Sequence, residues 1–173
     1  AIMLPDDVVL AQTPCLSQMV KAYNKTGGNL VGVMDVPRED TRKYGILDVR
    51  SDDGKLADIK GLVEKPDPKD APSTLSIIGR YILQPEIFEK LSVFEKGAGG
   101  EIQLTDAMAK MIGAQPFHGL RFDGRRYDCG HHLGFIEANI AFSMQNANIG
   151  AQVKEIIEEI TDCNKEKNHA AAR

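Results

Sequence analysis

Apolar positions along the chain follow two repeats, and these divide it into helices and strands. Thr13-Pro14 offers a side-chain oxygen and then a ring with φ already helical, which predicts a helix start. Leu16, Met19, Val20 and Tyr23 follow at helical spacing, and Gly27-Gly28 ends that helix. Residues 29–36 read as a strand stopped by Pro37. Residues 44–49 and 55–64, joined by the polar turn Ser51-Asp52-Asp53-Gly54, predict a hairpin. A Pro-rich loop over 66–72 precedes a β-prone run over 75–83. Pro85 then starts a short helix reaching about Leu91. A flexible Gly97-Ala98-Gly99-Gly100 loop leads into a helix expected over 101–112. A strand over 116–122, the turn at 127–130, and helices over 133–146 and 149–162 complete the pattern.

The opening run, Ala1-Ile2-Met3-Leu4-Pro5 before Asp6-Asp7, predicts a buried parallel strand that delivers side chains to its carboxyl end. Such a strand needs neighbours on both sides, so sequence ahead of Ala1 is expected. The last residues, Ala170 to Arg173, read as a frayed tail. Strands alternating with helices indicate an α/β sheet with flanking helices and an inserted β-hairpin. There is no internal repeat and no clear linker.

At 173 residues the chain is one domain or a little more. A hydrophobic share of 42% and a charged share of 27% are ordinary for a soluble protein. The formal net charge of -4 carries no electrostatic footprint for nucleic acid or an anionic membrane. No apolar run approaches the ~20 residues that a membrane-spanning helix needs. Cys15, Cys129 and Cys163 are widely separated and fit free thiols in a reducing cytoplasm.

Asp6 and Asp7 fall where a strand of an open α/β sheet ends, the side on which such sheets bind ligands. A carboxylate there either caps the next segment or holds Mg²⁺ against phosphate oxygens, with Asp128 as a second carboxylate from a later turn. In Gly61-Leu62-Val63-Glu64-Lys65-Pro66, Glu64 could accept from sugar hydroxyls while Lys65 neutralises a phosphate. The plainer reading is an exposed Glu-Lys pair at a strand end. Gly100-Glu101-Ile102-Gln103-Leu104-Thr105-Asp106 opens a helix whose Gly-rich approach suits backbone lying against a ligand. Cys129, His131 and His132 lack a second ligand cluster at zinc spacing, and Cys129 has no evident catalytic partners.

The segments Leu4-Pro5-Asp6-Asp7, Lys43-Tyr44-Gly45, Gly61 to Pro66, Gly79-Arg80-Tyr81, Gly99 to Asp106 and Tyr127-Asp128-Cys129-Gly130 occur in an order that resembles the bacterial UTP–glucose-1-phosphate uridylyltransferases. The resemblance covers nearly all of residues 1–162. It implies formation of UDP-glucose and pyrophosphate from UTP and glucose 1-phosphate in the cytoplasm, with Mg²⁺ and a homo-oligomeric enzyme. It implies a partial Rossmann-like nucleotidyltransferase sheet, mostly parallel, as one incomplete domain over 1–173 with a helical segment over 133–162. By resemblance Asp6 and Asp128 hold the metal, Lys65 contacts the sugar phosphate, and Gly45, Glu64, Gly79 and Glu101 line the sugar site. The family's Gly-x-Gly-x-Arg nucleotide loop has no counterpart in this sequence, so negligible turnover is expected of the chain alone. Alternatives are another sugar-1-phosphate nucleotidyltransferase, such as a thymidylyltransferase, or a non-catalytic sugar-phosphate-binding or subunit-contact module.

Overall fold

The structure, a computed structural model, describes residues 1–93 and 102–171, with side chains through Asp162. The chain divides into two compact units, residues 1–125 and 126–173.

The first unit is built on a six-stranded sheet. Its strands are β1 (Ile2–Met3), β3 (Asn29–Asp35), β4 (Gly45–Asp52), β5 (Leu56–Glu64), β6 (Leu75–Ile82) and β7 (Phe117–Arg121), in the order β1-β6-β3-β7-β5-β4. The short strand β2 (Asp7–Leu10) follows β1 in the chain. Residues 29–33 of β3 are buried throughout because both faces of this central strand are covered. On one face Val31, Val33, Ile77 and Phe117 pack with Ile87 of α2 (Ile87–Leu91) and Met108 of α3 (Leu104–Ala109). On the other, Leu30 and Leu120 pack with Cys15 and Met19 of α1 (Cys15–Thr26). Burial pushes the Cys15 thiol up to about 11, so it behaves as a small apolar side chain.

Several expectations need correction. The sheet is mostly antiparallel, and β3 with β7 is its parallel pairing among the described residues. The β4–β5 hairpin reverses the chain locally, and β6 then returns antiparallel beside β3. The opening run is not a buried parallel strand. It is a two-residue antiparallel edge on β6, with Met3 exposed. Pro5, which has no amide hydrogen, follows Leu4, whose own N–H still reaches Gly79 O at 2.9 Å. Thr13 makes no side-chain cap, and Pro14 takes the capping position of α1. A 3₁₀ turn over Arg38–Lys43 also lay outside the sequence pattern.

Two polar networks fix the sheet ends. Asn29 is fully buried. Its side-chain amide donates to Gln115 Oε1 at 3.0 Å, and its Oδ1 accepts the Gln84 N–H at 2.9 Å. At the far end Arg121 forks to Asp35 and Asp52, with nitrogen–oxygen distances of 2.7 to 3.2 Å. The Arg121 hydrogen bond is the main cause holding the Asp35 carboxyl below its ordinary range.

The second unit holds the extended segment β8 (Arg125–Asp128) from its second residue onward, α4 (His132–Gln145) and α5 (Gly150–Ala171). Tyr127 meets Phe142 edge to face, with ring centres 6.1 Å apart. A Cβ at Gly134 would lie 2.0 Å from the Asp128 carbonyl oxygen, so only glycine lets the first turn of α4 lie on that backbone.

Asn29→Ala removes both bonds of this buried side chain and strands the Gln84 amide. It is expected to lower stability by about 2 kcal/mol in urea unfolding. A loss under about 0.5 kcal/mol would contradict the structural role given to this network.

Candidate functional site

Gly45 opens β4 and stands directly opposite Glu64, which ends β5. The missing side chain leaves a small space between two elements. A Cβ at Gly45 would lie 3.1 Å from Glu64 Oε2 and 3.0 Å from Thr105 Cγ2 on α3. The Glu64 side chain is only 11% exposed, and its Oε2 is buried without a hydrogen-bond partner among the described residues. Thr105 Oγ1 is buried and unpartnered in the same way. Leaving a buried polar atom unpaired costs about 1–3 kcal/mol, and more for a charged group. Beside the side-chain-free position 45 stand the Glu64 Oε2 that lacks a donor and the methyl of Thr105. His118 Nδ1 is a third buried atom without a partner among the described residues. It lies on β7 and has no companion of this kind.

Lys65 follows Glu64 with φ at 47°, the left-handed region, although the next residue is proline. Residues before proline are ordinarily extended, and a side chain in this region is held there by its surroundings. The Lys65 N–H donates to Tyr44 O at 3.0 Å, and this bond fixes the turn. Its Nζ stands 3.6 Å from Glu64 Oε1 and is half exposed. The ammonium thus sits at the rim while the carboxylate lies within.

Asp6 and Asp7 separate into two roles. Asp7 is buried and its carboxylate accepts the Gly79 N–H at 2.7 Å. Asp6 is exposed. Gly79 has both backbone groups committed to the Leu4–Asp7 segment, since its carbonyl accepts from Leu4 and from Arg80. Tyr81, buried beside them, has its hydroxyl pushed up to about 12, first by burial and then by the carboxylates of Asp7, Glu64 and Asp6. That shared influence on one phenol draws Asp6, Asp7 and Glu64 into one neighbourhood. Tyr81 stays a neutral hydrogen-bond donor at any ordinary pH.

Asp128 belongs to the second unit. Its Oδ1 accepts the Gly130 N–H at 3.1 Å and its Oδ2 stands 3.3 Å from Arg126, leaving the carboxylate about half exposed. Glu101 lies outside the described residues, as do Gly97 to Gly100, and α3 begins at Leu104 rather than at residue 101. Among the described residues no three His, Cys, Asp or Glu side chains gather as a metal site. The cysteine and histidines near 129–132 accordingly form no such cluster. An open cavity of about 590 Å³ lies elsewhere, lined by Gln12, Gln18, Lys21, Lys55 and Asp123. Gln18 there bonds the backbone of Thr13 and Asp123, a structural use.

Thr105 and Tyr81 had no assigned role in the sequence reading. A threonine in the first turn of a helix reads as a routine polar position, and a tyrosine in an apolar strand reads as core. Only the packing of β4, β5 and α3 brings the Thr105 methyl and the Glu64 carboxylate against Gly45.

A family model described as nucleotidyl transferase matches residues 1–145. A UTP–glucose-1-phosphate uridylyltransferase of Komagataeibacter xylinus is 65% identical over 133 residues, covering 77% of this chain and 47% of the relative. One from Bacillus subtilis is 44% identical over 158 residues, covering 91% and 54%. A UDP-glucose pyrophosphorylase structure in complex with UDP-glucose superposes with a TM-score of 0.77 at 38% identity, covering 83% of this chain and 55% of that one. The UTP-bound enzyme of Acinetobacter baumannii gives 0.80 at 33%, covering 91% and 55%. The chain spans about half the length of the curated relatives it matches. With a family model covering residues 1–145 and relatives of one kind, the chain belongs to the nucleotidyl transferase family.

Proposed function

We propose that this chain carries the sugar-phosphate side, and a share of the metal side, of an enzyme that joins UTP and glucose 1-phosphate into UDP-glucose. The observation that carries the reading is Glu64 Oε2, buried and without a partner among the described residues, against the side-chain-free Gly45. Hexose hydroxyls are the donors that such a carboxylate lacks. Lys65 at the rim would then neutralise the sugar phosphate, whose oxygen is already a nucleophile and needs no protein base. That oxygen attacks the α-phosphorus of UTP, the new P–O bond forms, and pyrophosphate leaves. Positioning and charge neutralisation supply the catalysis.

Asp6 would contribute to holding a divalent cation, taken here as Mg²⁺, a role the family resemblance also gives to Asp128. The exposed Asp6 carboxylate supplies the hard oxygen donor this ion prefers, and such sites commonly use one or two carboxylates with water and phosphate oxygens completing the shell. When bound, the ion would supply positive charge at the phosphates. The reading includes a cytoplasmic homo-oligomer. No helix among the described residues is long and apolar enough to cross a membrane.

Three measurements test this. Calorimetry of the chain with glucose 1-phosphate should show binding that Glu64→Gln weakens about 10-fold or more, the loss of a charged acceptor. Equal binding by the variant, or none by the parent chain, would remove Glu64 from the sugar site. Gly45→Ala places a methyl in the gap and should weaken the same sugar phosphate at little cost in urea stability; unchanged affinity would contradict the pocket's location. Lys65→Gly should raise stability by about 0.5–1 kcal/mol by relieving the left-handed backbone while weakening phosphate binding. A fall in stability would show that φ at this position is not strained.

A further inference from the structure

We propose that Arg80, acting with the buried Asp7 carboxylate, is a positioning residue that aims the Asp6 carboxylate. The proposal rests on the reading that Asp6 holds a divalent cation. Arg80 directs its guanidinium at backbone oxygens. Its Nη1 donates to Leu4 O at 3.0 Å and to Gly79 O at 2.8 Å, and its Nη2 donates to Asp7 O. The carbonyls of residues 4 and 7 are therefore held by one planar fork. Between them lie only Pro5 and Asp6, which form a turn. Proline locks its own φ, so little freedom remains to the Asp6 backbone.

Two more bonds complete the clasp. The Leu4 N–H reaches Gly79 O, and the Gly79 N–H reaches Asp7 Oδ2 at 2.7 Å. The ladder places Met3 opposite Arg80. The approach is as close as the backbone allows: a Cβ at Gly79 would lie 2.6 Å from Asp7 Oδ2 and 2.7 Å from Leu4 Cβ. A buried carboxylate and an arginine fork are costly ways to stabilise an edge segment, since both lose hydration. Their common effect is to fix the two residues bracketing one exposed carboxylate. Groups that orient a metal ligand from behind commonly matter about 10–100-fold in metal affinity.

Charge and geometry predict opposite signs for Arg80. A guanidinium near a cation site repels the cation, so by charge alone Arg80→Gln should bind the metal more tightly. If Arg80 positions Asp6, the same variant binds it more weakly. Arg80→Lys keeps the charge and loses the fork. The experiment is an NMR titration of the ¹⁵N-labelled 173-residue chain with Mn²⁺ alone, reading paramagnetic broadening of amides around Asp6, with Asp6→Asn as the reference for loss of the site. Both Arg80 variants are expected to weaken Asp6-centred binding about 10-fold, with the β3 and β7 amides unshifted. Parental or tighter affinity in both would overturn the positioning role and leave Asp6 as a cation ligand. Absence of Asp6-centred broadening in the parent chain would overturn the cation reading and the proposal with it. Collapse of the core spectrum in both variants would make the clasp a folding element and also overturn the proposal. If one variant collapses, the other decides.

Discussion

The contact between the Leu4–Asp7 segment and β6 at Gly79 is the constraint from which the candidate site takes its shape. It requires a residue without a side chain, because any Cβ at position 79 would overlap Asp7 Oδ2 and Leu4. With that approach made, Asp7 turns inward to the Gly79 amide and Asp6 stays outside. The same strand pairs with β3 and touches β4 where Ser76 faces Ile46. Segments distant in sequence are thus registered against β6, and Tyr81 on that strand feels the carboxylates of Asp7, Glu64 and Asp6 together.

The polar interior has two kinds of member. Asn29, Gln84, Gln115 and Arg121 are saturated with partners and hold the sheet ends together. Glu64 Oε2 and Thr105 Oγ1 are buried and, among the described residues, without a partner. Saturated groups stabilise the fold, while unpaired ones lower stability until a donor arrives. Lys65, held at positive φ before a proline, adds local strain to the same corner. In the function proposed above, that strain and the adjacent unpartnered Glu64 oxygen belong to the sugar-phosphate corner.

Much of this was legible in the residues, and the failures have physical causes. The helix from Pro14 to Gly27-Gly28 and the β4–β5 hairpin were marked by periodicity and turn chemistry, both local signals. Strand direction was not. A buried apolar run has the same composition in parallel and antiparallel surroundings, so β3 and β6 gave no sign that they would run opposite ways. Ile2-Met3-Leu4 looked like the middle of a sheet and is an edge, because its partner is set by Gly79, about 75 positions away (compare the Gly79–Asp7 bond, which spans 72 residues). At the candidate site, Glu64 and Lys65 stood out through Gly and Pro punctuation, and Gly45 through the family resemblance alone. Thr105 did not, since the packing of an α3 side chain against Gly45 of β4 is a tertiary fact.

The most direct test is a crystal structure of the 173-residue chain with glucose 1-phosphate bound. Hexose hydroxyl oxygens are predicted within hydrogen-bond distance, about 2.6–3.2 Å, of both Glu64 Oε2 and Thr105 Oγ1, with the phosphate on the Lys65 side. A sugar phosphate bound elsewhere, with those two oxygens satisfied by protein groups or left unpaired, would contradict the account.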